Sequence, residues 1–123
     1  MARILLVEDE DDLRRVLRQM LGELGHFVVE ARDGHEAMDQ FKREPPDIVL
    51  CDLLMPEKEG LETIREMRHL RPETKIVAMS GGGRIHAKEA LVMATYLGAQ
   101  QVLPKPFTAE SLAAAVKTAL ASN

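Results

Sequence analysis

Five short apolar runs punctuate the chain: Ile4-Leu5-Leu6-Val7, Phe27-Val28-Val29, Ile48-Val49-Leu50-Cys51, Ile76-Val77-Ala78-Met79 and Val102-Leu103. The first, third and fourth are apolar at every position rather than at alternate ones. A strand covered on both faces requires that pattern. Between the runs, apolar residues recur at helical spacing. Leu13, Val16, Leu17, Met20, Leu21 and Leu24 predict a first helix, stopped by Gly25. Asp33 is placed to cap a second, which carries Ala37, Met38 and Phe41 and ends before Pro45-Pro46. A third carries Leu61, Ile64 and Met67, with Pro72 beyond it. A fourth carries Ala87, Ala90, Leu91, Ala94 and Leu97 and is closed by Gly98. Thr108 is placed to cap the last, whose stripe is Leu112, Val116, Ala119 and Leu120.

Strict alternation of strand and helix predicts an α/β doubly wound parallel sheet with right-handed crossovers. At 123 residues the chain fits one domain, 1–123, and no linker, repeat or low-complexity tail interrupts it. The last predicted helix stops close to the final residue, so the expectation is a stand-alone domain without an output domain. With 46% hydrophobic and 29% charged residues, it has the means to build a core. Aromatics make up only 3%, which speaks against a base-stacking surface, and a net charge of −4 speaks against a nucleic-acid partner. The single cysteine, Cys51, excludes an internal disulfide. No apolar run is long enough for a membrane span or a signal-peptide core, so the expected location is the cytoplasm, away from membranes.

In open parallel sheets, ligands bind beyond the carboxyl ends of the strands. The first strand delivers Glu8-Asp9-Glu10-Asp11-Asp12 to that edge, and the third delivers Asp52. The fourth delivers Ser80, followed by Gly81-Gly82-Gly83, and the fifth delivers Lys105 within Pro104-Lys105-Pro106. Two like charges ~4 Å apart repel by roughly 4 kcal/mol at an effective dielectric of ~20. Asp9 and Asp52 brought together therefore need a counter-charge, and Mg²⁺ suits one or two carboxylates with waters and a phosphate oxygen. Such a metal would position a phosphoryl donor, one carboxylate would act as nucleophile, and Lys105 and Ser80 would meet the phosphoryl oxygens. Each residue alone has a plainer use. Asp11 and Asp12 suit a helix N-terminus, Glu10 a solvated surface, and Ser80 with its glycines an ordinary loop. An aspartate directly after four apolar strand residues is costly unless paired, which sets Asp52 apart.

These stretches together resemble the receiver domain of two-component response regulators, over essentially the whole chain. The matching motifs are Ile4-Leu5-Leu6-Val7-Glu8-Asp9, Asp47 through Pro56 with Gly60, Ile76-Val77-Ala78-Met79-Ser80, and Leu103-Pro104-Lys105-Pro106-Phe107. The resemblance implies a flavodoxin-like five-stranded sheet of order 2-1-3-4-5 with helices on both faces. It implies that Asp52 takes a phosphoryl group from a histidine kinase or a histidine phosphotransfer protein. It also implies that Mg²⁺ is held by Asp9, Asp52 and the Leu54 carbonyl, with Glu8 acting mainly through metal-bound water. Ser80 and Lys105 match the family's hydroxyl and lysine, and the Lys105–Pro106 bond is expected cis. Signalling would pass to a downstream protein through the fourth helix, fifth strand and last helix, or phosphate would pass along a relay. The kinase would dock on the first helix and nearby loops. The chain would not be a turnover enzyme, and both a monomer and a phosphorylation-induced dimer fit.

Two positions depart from the family. Val102 stands where an aromatic usually couples to the Ser/Thr, and Gly81-Gly82-Gly83 frees the loop after the fourth strand. The conformational change is therefore expected in that loop and the start of the fourth helix. Leu54 and Gly82 flank the path of a hydrolytic water and neither can hydrogen-bond it, so slow self-dephosphorylation is expected. Cys51 reads as a core residue, His26, His35, His69 and His86 as surface, and Arg65, Arg68, His69 and Arg71 as a solvated helix face. A flavin carrier fits poorly, because the acidic run would repel its phosphate. A haloacid-dehalogenase-type phosphatase wants an acid where Leu54 stands. The remaining alternative is a pseudo-receiver, a protein-interaction module that never takes phosphate.

Overall fold

The computed structural model describes residues 1–53, 60–80, 89, 92 and 96–122. Its strands are β1 (Arg3–Val7), β2 (Phe27–Ala31), β3 (Ile48–Asp52), β4 (Lys75–Ser80) and β5 (Gln101–Pro104). Its helices are α1 (Asp11–Glu23), α2 (Gly34–Arg43), α3 (Gly60–Leu70) and α4 (Ala109–Ala121). The strands form one parallel sheet in the order β2-β1-β3-β4-β5, as expected. Between β4 and β5, Glu89, Val92, Tyr96 and Leu97 are helical.

The continuous apolar runs are explained by two cores, one on each face of the sheet. Ile4 and Leu6 of β1, Ile48 and Leu50 of β3, and Val77 and Met79 of β4 pack with Leu17 and Leu21 of α1 and Leu112 and Val116 of α4. Leu5 and Val7, Val49 and Cys51, and Ile76 and Ala78 pack on the other side with Phe41 of α2 and Ile64 and Met67 of α3. Successive side chains leave a strand on opposite faces, so a strand sandwiched between helix layers must be apolar throughout.

The expected punctuation is present. The Asp33 carboxylate accepts the Glu36 N–H at 2.8 Å, capping α2. Thr108 and Ser111 form a reciprocal capping box at the start of α4. Gly25 and Gly98 both take positive φ, +91° and +77°, where their helices close. Among the described residues no helix is long and apolar enough to cross a membrane.

Two expectations need correction. His26 is half-buried rather than a free surface residue, and its Nδ1 accepts the Ala2 N–H at 3.1 Å. Arg68 is no member of a solvated face. Its guanidinium donates to the Pro72 carbonyl at 2.7 Å, to the Gly98 carbonyl and to Gln100 Oε1, tying α3 to the chain entering β5. Arg68 stands four residues after Ile64 and seven after Leu61, on the side of α3 that carries the apolar stripe, but its partners 30 and 32 residues away have no local signature.

Candidate functional site

Register brings the chemistry together. In the β1–β3 pairing Val7 lies opposite Cys51, so Glu8 and Asp52, one residue further on, emerge side by side. Pairing of β4 with β5 puts Ser80 opposite Pro104, and the Lys105 N–H donates to the Ser80 carbonyl at 2.6 Å. The Lys105–Pro106 bond is cis, as expected. Lys105 Nζ lies 3.0 Å from Glu8 Oε1 and 3.0 Å from Asp52 Oδ2. Glu8, Asp9 and Asp52 each offer a carboxylate oxygen, and these oxygens lie within 4.8 Å of one another. Two acids, 97 and 53 positions before Lys105, thus share its ammonium group.

The three acids are not equivalent. Glu8 is fully buried, Asp52 is buried and Asp9 is exposed. Burial pushes the Glu8 carboxyl up to about 7, against the Glu10 N–H and Lys105, which both favour its charged form. Burial works to lower the Lys105 pKa, yet hydrogen bonds and charge from Glu8 and Asp52 prevail and raise it. The amine is therefore held charged between Glu8 and Asp52, with Asp9 adding a third carboxylate to the group. Burial also pushes the Cys51 thiol up, in keeping with its core role. Ser80, at the end of β4, is buried as well.

Directly behind Asp52, the first residue of α3 comes unusually close. A Cβ on Gly60 would stand 1.7 Å from the Asp52 carbonyl oxygen and 2.7 Å from Leu53 Cα. Glycine is required there by space. Leu54, Met55 and the Gly81-Gly82-Gly83 loop lie outside the described residues, as does His86.

An all-oxygen acidic cluster of this kind fits a hard divalent cation, and it sits beside a lysine at the carboxyl edge of a doubly wound sheet. The response regulator receiver domain family matches residues 4–117. The chain belongs to that family. As a receiver domain it is part of a two-component system, and its acidic group suits the Mg²⁺ pocket that such domains carry. It is 36% identical over 118 residues to the response regulator MprA of Mycolicibacterium vanbaalenii, covering 96% of this chain and 50% of that protein. A receiver domain protein from Clostridium thermocellum has a similar structure, with TM-score 0.88 and 28% identity over 98% of this chain and 94% of that one. A CheY-like receiver domain protein from Methanospirillum hungatei gives TM-score 0.88 at 26% identity, with the same coverages of 98% and 94%. The receiver domain spans about half the length of the curated relatives it matches.

One residue of the site neighbourhood escaped the sequence reading. Arg14, on the first turns of α1, reaches back to the Glu8 carbonyl. Its spacing of three from Asp11 was the available signal, but such pairs are common on any helix.

Proposed function

We propose that Asp52 is the phosphoacceptor of this receiver domain and takes its phosphoryl group from a phosphohistidine on a histidine kinase or phosphotransfer protein. An Asp52 carboxylate oxygen attacks phosphorus, the P–N bond of the phosphohistidine breaks, and an acyl phosphate forms while the imidazole leaves and is protonated. Glu8, Asp9 and Asp52, with the Leu54 carbonyl, would hold Mg²⁺, which when bound neutralises phosphoryl oxygens and lines up the donor. Lys105 leaves its bridge between the two acids and pairs with the incoming phosphoryl group. The Ser80 hydroxyl donates to a phosphoryl oxygen.

The observation that carries this reading is the position of Lys105 Nζ, 3.0 Å from both Glu8 and Asp52 inside a three-carboxylate cluster. Two buried carboxylates sharing one amine, with a third carboxylate beside them, suit a site that takes up a metal ion and a phosphoryl group. The domain is modified once per transfer rather than turning over a substrate, and the phosphorylated form signals by binding another protein.

Acetyl phosphate with Mg²⁺, followed by intact mass, tests the proposal. Wild-type protein gains one phosphoryl group and Asp52→Asn gains none. No uptake by wild-type protein would turn the assignment to a phosphate-independent interaction module.

A further inference from the structure

Arg14 lies on α1, yet its side chain is only 13% exposed, and its three nitrogens are spent on three different partners. Nη1 donates to the Glu8 carbonyl oxygen at 3.0 Å. Nη2 donates to Asp11 Oδ1 at 2.6 Å. Nε faces Glu30 Oε1 on β2 at 3.3 Å, and Arg18 Nε holds the other Glu30 oxygen at 3.1 Å. The Glu8 carbonyl belongs to the peptide that joins Glu8 to Asp9. One guanidinium therefore grips the acidic loop at residue 8 and again at residue 11, with Asp9 and Glu10 between the two holds. The loop's inner end is fixed by the Glu8 N–H on the Ala31 carbonyl, 3.1 Å, and its turn by the Glu10 N–H on Glu8 Oε2, 3.1 Å. Arg14 adds a hold at the Glu8 carbonyl, immediately before exposed Asp9.

We propose that Arg14 is a positioning residue, a clamp on the Glu8–Asp9 peptide that pre-sets the two carboxylates for metal uptake. This rests on reading Glu8, Asp9 and Asp52 as the metal site. A planar fork with five donors is suited to span a carbonyl and two carboxylates, whereas an ammonium group concentrates its donors at one point. Loss of the fork leaves Asp9 free to wander, and metal binding must then order it. Positioning and charge act in opposite directions here. A cation near the acidic cluster repels Mg²⁺, so removing Arg14 for its charge alone would tighten metal binding, whereas removing a clamp weakens it.

The test is Mg²⁺ titration of wild type, Arg14→Met and Arg14→Lys, followed by amide chemical shifts, with amide hydrogen exchange at residues 9–11 measured in metal-free protein. Both variants are expected to raise the Mg²⁺ Kd about tenfold, the usual effect of losing a group that orients a metal ligand. Exchange at residues 9–11 is expected to speed up in both. Unchanged or tighter Mg²⁺ binding in Arg14→Met overturns the proposal, and so does full wild-type affinity in Arg14→Lys. Should Arg14→Met fail to fold, Arg14→Lys, which keeps the stem and the charge, decides alone. If wild-type protein binds no Mg²⁺, the metal-site reading itself falls. If wild type binds and the variants match it, the clamp alone falls.

Discussion

The two edges of the sheet treat charge in opposite ways. At the amino edge several polar side chains each finish one loose backbone end. Asp47 Oδ2 accepts the Arg3 N–H at 2.8 Å, His26 Nδ1 accepts the Ala2 N–H at 3.1 Å, and Lys75 Nζ donates to the Leu120 carbonyl at 2.6 Å. The Arg3–Glu44 pair at 3.0 Å is one cation on one anion. At the carboxyl edge Glu8 and Asp52 are buried, and they share Lys105 while Asp9 adds a third carboxylate. The first arrangement satisfies hydrogen bonds and is complete. Among the described residues, the second crowds three carboxylates about one amine, an arrangement that folding alone does not call for. Such an imbalance marks the edge where a ligand is to arrive.

Substitutions at the two edges should separate these roles. The largest effect is expected at Asp52: Asp52→Asn abolishes phosphoryl uptake by intact mass, while urea unfolding shifts by less than about 1 kcal/mol, because the change removes one of several crowded acids. Gly60→Ala comes next. Its Cβ has no room beside the Asp52 carbonyl, and the expected loss is about 3 kcal/mol in urea unfolding. A stable Gly60→Ala protein with normal uptake would mean that the approach of α3 to β3 is slack. At the amino edge, Asp47→Ala should cost about 1 kcal/mol for one backbone hydrogen bond and leave phosphoryl uptake intact. Impaired uptake there would break the division between the edges.

The smallest effect concerns pH. Partial burial holds the His26 imidazole below its ordinary value of 6.5, and its neutral Nδ1 accepts a backbone N–H. The folded state then binds fewer protons than the unfolded state in that range. The His26 contribution is therefore fully present above pH ~6.5 and is lost as pH falls through the lowered folded value. Comparison of wild type with His26→Asn by thermal unfolding at several pH values should show a difference that shrinks on acidification. A difference independent of pH would remove His26 from the account.

Much of this was legible along the chain because it is local. Runs such as Ile48–Cys51 declare a strand with two covered faces, and Asp33 and Thr108 declare helix starts, since caps act within three residues. The strand-end positions of Asp9, Asp52, Ser80 and Lys105 follow from the same periodicity. His26 and Arg68 were misjudged for the converse reason, because their partners are the Ala2 N–H and the Gly98 carbonyl, across gaps of 24 and 30 residues.

The amino-acid order by itself determined the alternation of strands and helices, the doubly wound class and the set of chemical groups brought to one edge. Only the tertiary structure decided that Glu8 is the buried acid and Asp9 the exposed one. It alone put Lys105 on two carboxylates at once and tied Arg14 to the Glu8 carbonyl and to Asp11. Hydrophobic periodicity is set residue by residue, whereas the surroundings of a charge depend on which distant segments the sheet register lays against it.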